Sequence, residues 1–279
     1  ISLILIPGIM LIVLMIIGLG IQTWRGFYDY EVHLYFKQLF LLDWTDYTLL
    51  CVLAFSIQTI VNHKYIGHFI MILYFLFGMF SGQFGLDHTL YHYSSGSGAP
   101  YSDMNGFEPY IFRLLWYKLY WGSFAVLLAL ISNLFWNRGL TGNFKSRSTN
   151  ARLRLTPAMK NGLLGFTVLF IGFGSFIFYN TNILNEYHRS AYWEKRSANY
   201  EKTYKKYKGV PKPKITGVSG EVHIYPQEAR VEFSGIYRMK NKTDTIIDTI
   251  HSNFNRRAPY TRYEWSRSNE LTFTDSAYG

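Results

Sequence analysis

Cysteine is nearly missing from this chain. Its single example, Cys51, lies inside an apolar run, so no intrachain disulfide can form and cysteine usage says nothing about redox compartment. Catalytic signatures are missing as well. There is no H-E-x-x-H, no Walker A sequence and no G-x-S-x-G, and a lone cysteine within an apolar run is not a credible nucleophile. The formal net charge of +10 raises the question of nucleic acid, but no basic helix with interleaved base-reading residues accompanies it. Residues 1–20 lack the basic n-region and small-residue cleavage site of a signal peptide. The chain opens inside a hydrophobic run without an initiator Met and stops at Gly279, so it reads as an internal fragment of a longer protein.

What is present is a strong asymmetry. The mean hydropathy of +0.01 averages an apolar half with a polar one. A bilayer core about 30 Å thick requires roughly 20 apolar residues in helical form. Runs near 3–21, 46–62, 66–84, 114–136 and 162–179 meet or approach that length. The fold class expected is a multi-span α-helical membrane domain of about five transmembrane helices, followed by the start of an extracytoplasmic antiparallel β-domain. Buried core helices of a soluble protein seldom run this long, which disfavours the alternative.

Charge placement sets an orientation. Residues 137–161, "NRGLTGNFKSRSTNARLRLTPAMKN", carry Arg138, Lys145, Arg147, Arg152, Arg154 and Lys160 and no acid; the turn at 62–65 adds Lys64. The acids of the first 179 residues (Asp29, Glu31, Asp43, Asp46, Asp87, Asp103 and Glu108) all fall at the other end of the runs. The positive-inside rule puts 137–161 and 62–65 in the cytoplasm and everything after 179 outside. The tail is itself basic, with 17 Lys+Arg against 11 Asp+Glu over 180–279, but long domains cross largely regardless of charge. In "LLWYKLYWG" (114–122), Trp116, Tyr117 and Trp121 read as an aromatic belt at the outer interface, with Lys118 snorkelling to the headgroups. No other charged residue falls deep in a run, which argues against a proton relay.

Residues 27–42, "FYDYEVHLYFKQLFLL", read as an amphipathic element lying along the outer surface. In the next outer loop, His88 and His92 stand four apart with Asp87 beside them, so one helical turn would place both imidazoles on one face. That is the spacing of a zinc helix, but the Glu of H-E-x-x-H and a third ligand are missing, and a polar interfacial cap with solvated histidines is the plainer reading. His33, His63 and His68 are isolated. "FYNTNILNEY" (178–187) marks where the last span leaves hydrocarbon, and Asn180, Asn182 and Asn185 are suited to meeting freed carbonyls and headgroups there.

Beyond it, 186–208 reads as a charged linker helix with Glu201 and Lys205 in i, i+4 spacing and a stripe of Tyr200, Tyr204 and Tyr207. The prolines of "GVPKPKI" end it. The period then changes to two in "GEVHIYP", "ARVEFSGIYRMKN" (with Gly235 as a bulge) and "DTIIDTIHSNF", which predicts three strands and an incomplete core with exposed edges. The division expected is a membrane domain over 1–179, an extracytoplasmic helical linker over 180–212 and the truncated start of a β-domain over 213–279.

"YKLYWG", "FWNRGL", "ARLRLTPAMKNG", "FYNTNILNEY", "ANYEKTYKKY", "PKPKIT", "VHIYPQEARVEFSGIYRMKNKTDTIID" and "YSDMNGF" span nearly the whole chain. Together they resemble bacterial fusions of an ABC-type export permease with an aminopeptidase-N-like zinc metallopeptidase, a type common in Bacteroidota-like bacteria. The resemblance implies that 1–179 is a permease domain and 213–279 the root of a peptidase β-sandwich. It implies a multi-pass protein of the bacterial inner membrane with a periplasmic C-terminal region, partnered by the lipid bilayer and by a separate ATPase subunit at the cytoplasmic loops. It implies zinc only in a peptidase part further along such chains, and no catalytic residue or cofactor within these residues. Two other classes compete: a non-transporting membrane anchor for an extracytoplasmic metallopeptidase, and a membrane metalloenzyme built on Asp87, His88 and His92.

Overall fold

The computed structural model describes residues 2–96, 98–136, 144–228, 230–253, 264–275 and 278. The chain divides into two compact units, Ile1–Tyr192 and Trp193–Gly279.

The first unit is helical: α1 (Ser2–Trp24), α2 (Val32–Phe36), α3 (Trp44–Val61), α4 (Lys64–Phe80), α5 (Glu108–Phe135), α6 (Phe144–Leu153) and α7 (Pro157–Phe178). Five helical stretches among the described residues are long and apolar enough to cross a membrane: 2–24, 32–61, 64–84, 108–135 and 157–183. Their apolar side chains point outward. Leu, Ile and Phe along α1, α4 and α7 are largely exposed, as in a bundle solvated by acyl chains rather than water.

The second stretch corrects the surface element expected over 27–42. α2 passes without a break through a π-helical segment, Lys37–Asp43, into α3. The wider turn keeps Phe36, Phe40 and Trp44 in ring contact along one side, at centroid separations of 5.1 and 6.3 Å. A second π-helical segment, Tyr179–Ile183, prolongs α7.

Packing centres on α5, which contacts both α3 and α7. Its inward stripe, Tyr117, Tyr120, Trp121 and Ala125, forms a core with Leu49, Tyr93 and Ile177. Tyr120 stacks on Phe170 at 4.5 Å, and Gly174 leaves room for the same ring. Small hydroxyls rather than charges face the helix contacts. Ser56, Ser123 and Ser132 are buried, and each donates at 2.7 Å to a carbonyl of its own helix (Val52, Tyr120 and Leu128). α1 is tied to α3 through its own carbonyls: Trp44 Nε1 donates to Ile4 O at 3.2 Å and Cys51 Sγ to Leu3 O at 3.2 Å. α3 and α4 approach closely where Gly67 meets the Gln58 side chain, whose amide lies 3.3 Å from His68 Nδ1. His63 caps α4, its Nδ1 accepting from Ile66 N–H at 3.3 Å, so two of the isolated histidines hold a helix hairpin together.

The second unit holds most of α8 (Ser190–Tyr204) and an antiparallel ribbon of β1 (Lys214–Tyr225) and β2 (Arg230–Lys240). Glu201 and Lys205 pair at 3.7 Å, and Tyr200 lies against Tyr204. The Tyr204 hydroxyl donates to Asp275, and that bond pushes the phenol pKa up to about 12. Ile215, Val218, Val222 and Ile224 share one ribbon face with Val231, Phe233, Tyr237 and Met239. The register slips between Ile215 and Gly217, not at Gly235, which pairs with Gly220. One extra residue there returns Ile215 to the apolar face, which an unbroken alternation would deny it. The third expected strand does not form: 244–253 is irregular. Asn241 turns the chain instead, accepting from Thr243 N–H at 2.9 Å and donating to Thr245 O at 2.7 Å.

The α5–α7 contact is testable at two glycines of one helix. A Cβ at Gly174 would lie 2.9 Å from Tyr120 Cε2, whereas one at Gly172 would meet nothing within 4 Å. Gly174→Ala is expected to cost about 1–3 kcal/mol through overpacking, read as a lower thermal midpoint in detergent, while Gly172→Ala leaves that midpoint in place.

Candidate functional site

The polar residues gather at the two ends of the bundle. At one end, the end expected to face outward, the chain after α4 folds back over the helices. Tyr93 plugs the top of the core: its hydroxyl donates to Leu49 O at 2.9 Å, and its carbonyl accepts from Tyr74 Oη at 3.2 Å. Burial pushes the Tyr93 phenol pKa well above its ordinary value. Ser94 donates to Asp46 Oδ1 at 3.0 Å, and Trp121 Nε1 to Ser95 O at 3.1 Å.

This arrangement revises the aromatic belt. Tyr117 and Trp121 are buried in the core, and Trp116 packs between Phe173 and Phe176 of α7. α5 is central, so its i, i+3, i+4 stripe faces helices rather than headgroups. Lys118 is engaged within the protein: its ammonium pairs with the partly exposed Asp46 carboxylate and lies 3.4 Å from Leu42 O.

Asp87, His88 and His92 do not converge. A 3-10 turn, Thr89–Tyr91, replaces the expected α-turn and sends the imidazoles to different partners. His92 Nε2 donates to Leu86 O at 2.8 Å. Asp87 Oδ2 accepts from Ser190 N–H at 2.8 Å, the first amide of α8. His88 is only 8% exposed, so the solvated-histidine reading fails for it. Among the described residues, no group of three or more His, Cys, Asp or Glu side chains could hold a metal ion.

His88 instead joins this loop to the exit of the last span. Its Nδ1 accepts from Leu90 N–H at 3.1 Å. In the neutral ring that leaves the proton on Nε2, which lies 3.2 Å from Thr181 Oγ1 and 3.1 Å from Asn182 Nδ2. The Tyr187 ring meets its face edge-on at 4.7 Å. Burial pushes the His88 pKa below its ordinary value of 6.5. The Tyr91 ring also lies edge-on to it, at 6.0 Å.

Side-chain amides meet the carbonyls of the π-helical exit. Asn180 Nδ2 donates to Phe176 O at 2.8 Å, Asn182 Nδ2 to Phe178 O at 3.3 Å and Asn185 Nδ2 to Asn180 O at 2.7 Å. Thr181 Oγ1 covers Ile177 O at 2.8 Å.

At the opposite end the basic loop splits into two groups. Arg147 is 4% exposed and donates to Ile60 O at 2.9 Å, to Phe135 O at 3.0 Å and to Thr59 O. One guanidinium thereby caps the C-terminal turns of both α3 and α5. Arg154 donates to Trp136 O. Lys145 and Arg152 are exposed, and Arg138 lies outside the described residues. Charge counting alone could not single out Arg147. The signal available was Ala151, four residues on, a small residue on the same helix face.

Comparison with protein-family models, with curated proteins and with solved structures finds no match in any of the three.

Two outcomes follow from these caps. Because the fold holds His88 neutral, its contribution to stability is fully present above the ordinary pKa of 6.5 and is lost as pH falls through the lowered folded value. The thermal midpoint of the wild type is expected to fall as pH drops below 6.5 towards that lowered value, and His88→Gln to flatten the slope. Arg147→Met strips charged donors from three terminal carbonyls, and a loss of about 1.5–3 kcal/mol per bond is the scale expected. Thermal midpoints should therefore fall much further for Arg147→Met than for Lys145→Met.

Proposed function

We propose that this chain is the membrane component of an ABC-type exporter, permease in character, carrying the root of an extracytoplasmic aminopeptidase-like module. The observation that carries this reading is the junction of two unlike parts. Five helical stretches of spanning length, with bare cations gathered at one end, lead into a second unit containing an amphipathic β-ribbon. The ribbon's apolar side chains are exposed, from Val218 and Val222 to Phe233. Such a face suits the first strands of a larger sandwich.

In this reading the protein sits in a bacterial inner membrane with the 62–65 and 137–161 loops cytoplasmic and the chain after 179 periplasmic. A separate ATPase subunit docks at the cytoplasmic loops, and zinc belongs to a peptidase part outside these residues. The packed centre of the bundle favours a second reading. Tyr117, Tyr120, Trp121 and Phe170 fill the space between α3, α5 and α7, as befits a passive anchor holding an extracytoplasmic metallopeptidase.

Affinity purification of the full-length protein from native membranes separates the two. The exporter reading expects a nucleotide-hydrolysing subunit to co-purify, and to be lost when the exposed residues of 62–65 and 144–160 are replaced by alanine. Replacing 1–161 with an unrelated multi-span anchor is expected to abolish the export phenotype while peptidase activity persists. Retention of both peptidase activity and phenotype would instead establish the anchor.

A further inference from the structure

The inner end of the bundle has no acid of its own. No Asp or Glu occurs between Asp46 and Asp87, or between Glu108 and Glu186; Asp46 and Glu108 stand in the first turns of α3 and α5, and Asp87 and Glu186 in the loops that follow α4 and α7, all at the other end. Yet α6 and its flanks concentrate cations there. Arg147 is turned inward and Arg154 reaches the Trp136 carbonyl, but Lys145, Arg152 and, in the first turn of α7, Lys160 are exposed. None of these three forms an ion pair with a carboxylate among the described residues.

The position of α6 fixes what lies beside it. Arg147 and Ala151 are buried on its inward face, and the guanidinium tip reaches the last carbonyls of α3 and α5. Only Arg154, Leu155 and Thr156 separate its end from Pro157, where α7 starts. A helix pinned to the ends of two spans and joined to a third by three residues lies at headgroup depth. Its outward side carries an apolar group as well: Leu153 is 81% exposed, whereas Phe144 turns back to stack on Phe135 of α5. Basic residues beside exposed apolar ones, at the membrane surface, are the composition of a helix that lies on an anionic leaflet.

We propose that the outward face of α6, with Lys145, Arg152 and Lys160, binds the phosphodiester headgroups of anionic phospholipids, while Leu153 enters the acyl boundary. The lipid phosphate is the counter-ion this end of the bundle lacks. This assignment does not rest on the exporter reading.

The test uses the whole chain reconstituted in phosphatidylcholine nanodiscs containing a minor fraction of phosphatidylglycerol, with co-purifying lipid quantified by native mass spectrometry. Wild type is expected to enrich phosphatidylglycerol, and to lose that enrichment as salt rises. The variant Lys145→Gln/Arg152→Gln/Lys160→Gln is expected to lose about fivefold in enrichment per cation removed. Arg147→Gln is the counter-test, expected to lower the thermal midpoint and keep the enrichment. Inorganic phosphate at matched ionic strength should compete no better than chloride. Equal phosphatidylglycerol retention by wild type and triple variant overturns the proposal. So does a triple variant that keeps its phosphatidylglycerol but sheds a co-purifying protein, which would make this face a docking surface for an acidic subunit.

Discussion

A helix that stops at the edge of hydrocarbon leaves its last carbonyls without partners, and water is too scarce there to satisfy them cheaply. Both ends of this bundle are organised around that constraint. At one end a single guanidinium serves two helices: Arg147 closes the last turns of α3 and α5 together, with the Phe135 ring beneath it. At the other end the solution is distributed. Four consecutive side-chain donations, from Asn180, Thr181, Asn182 and Asn185, meet the carbonyls of the π-helical exit of α7. The first solution couples helices, because removing α6 would uncap two of them at once. The second is built from side chains of the exit itself, and its link to another element runs through His88, beside Thr181 and Asn182.

The same pressure explains the outer loop. A connection lying over the end of a bundle must satisfy its own backbone as well as cover the core. Tyr93 does both: its ring fills the gap beside Trp121 and Phe124 while its hydroxyl and carbonyl take partners from α3 and α4. His88 and Asp87 continue the arrangement towards the chain leaving α7, which is why the first compact unit extends to Tyr192 rather than stopping at 179. Side chains with the chemistry of a reactive site are engaged here in holding a loop in place.

Composition made the coarse architecture legible. Five apolar runs, a polar tail and a change of period to two were all readable, because run length and alternation are local properties. Partner choice was not. Tyr117 and Trp121 look like interfacial aromatics until the position of α5 between α3 and α7 is known. The i, i+4 spacing of His88 and His92 implies a shared face only if the backbone between them is α-helical, and a 3-10 turn removes that premise. The segment over 27–42 was misread for a related reason. A π-helical turn inserts a residue and rotates the following face by about 100°, so one continuous helix presents two hydrophobic phases. In the ribbon, the slip beside Ile215 is invisible to alternation counted within a single strand.

Asp46 and Lys118 carry one further consequence. They hold opposite charges at one depth near the outer face of the bundle. A membrane potential does about 2.3 kcal/mol of work on each elementary charge per 100 mV traversed, but for two opposite charges moving together those contributions cancel. A displacement of α3 and α5 that kept this contact intact would transport no net charge. The pair therefore adds nothing to the work a voltage could do on the two helices, and any voltage response would have to come from charges elsewhere in the bundle.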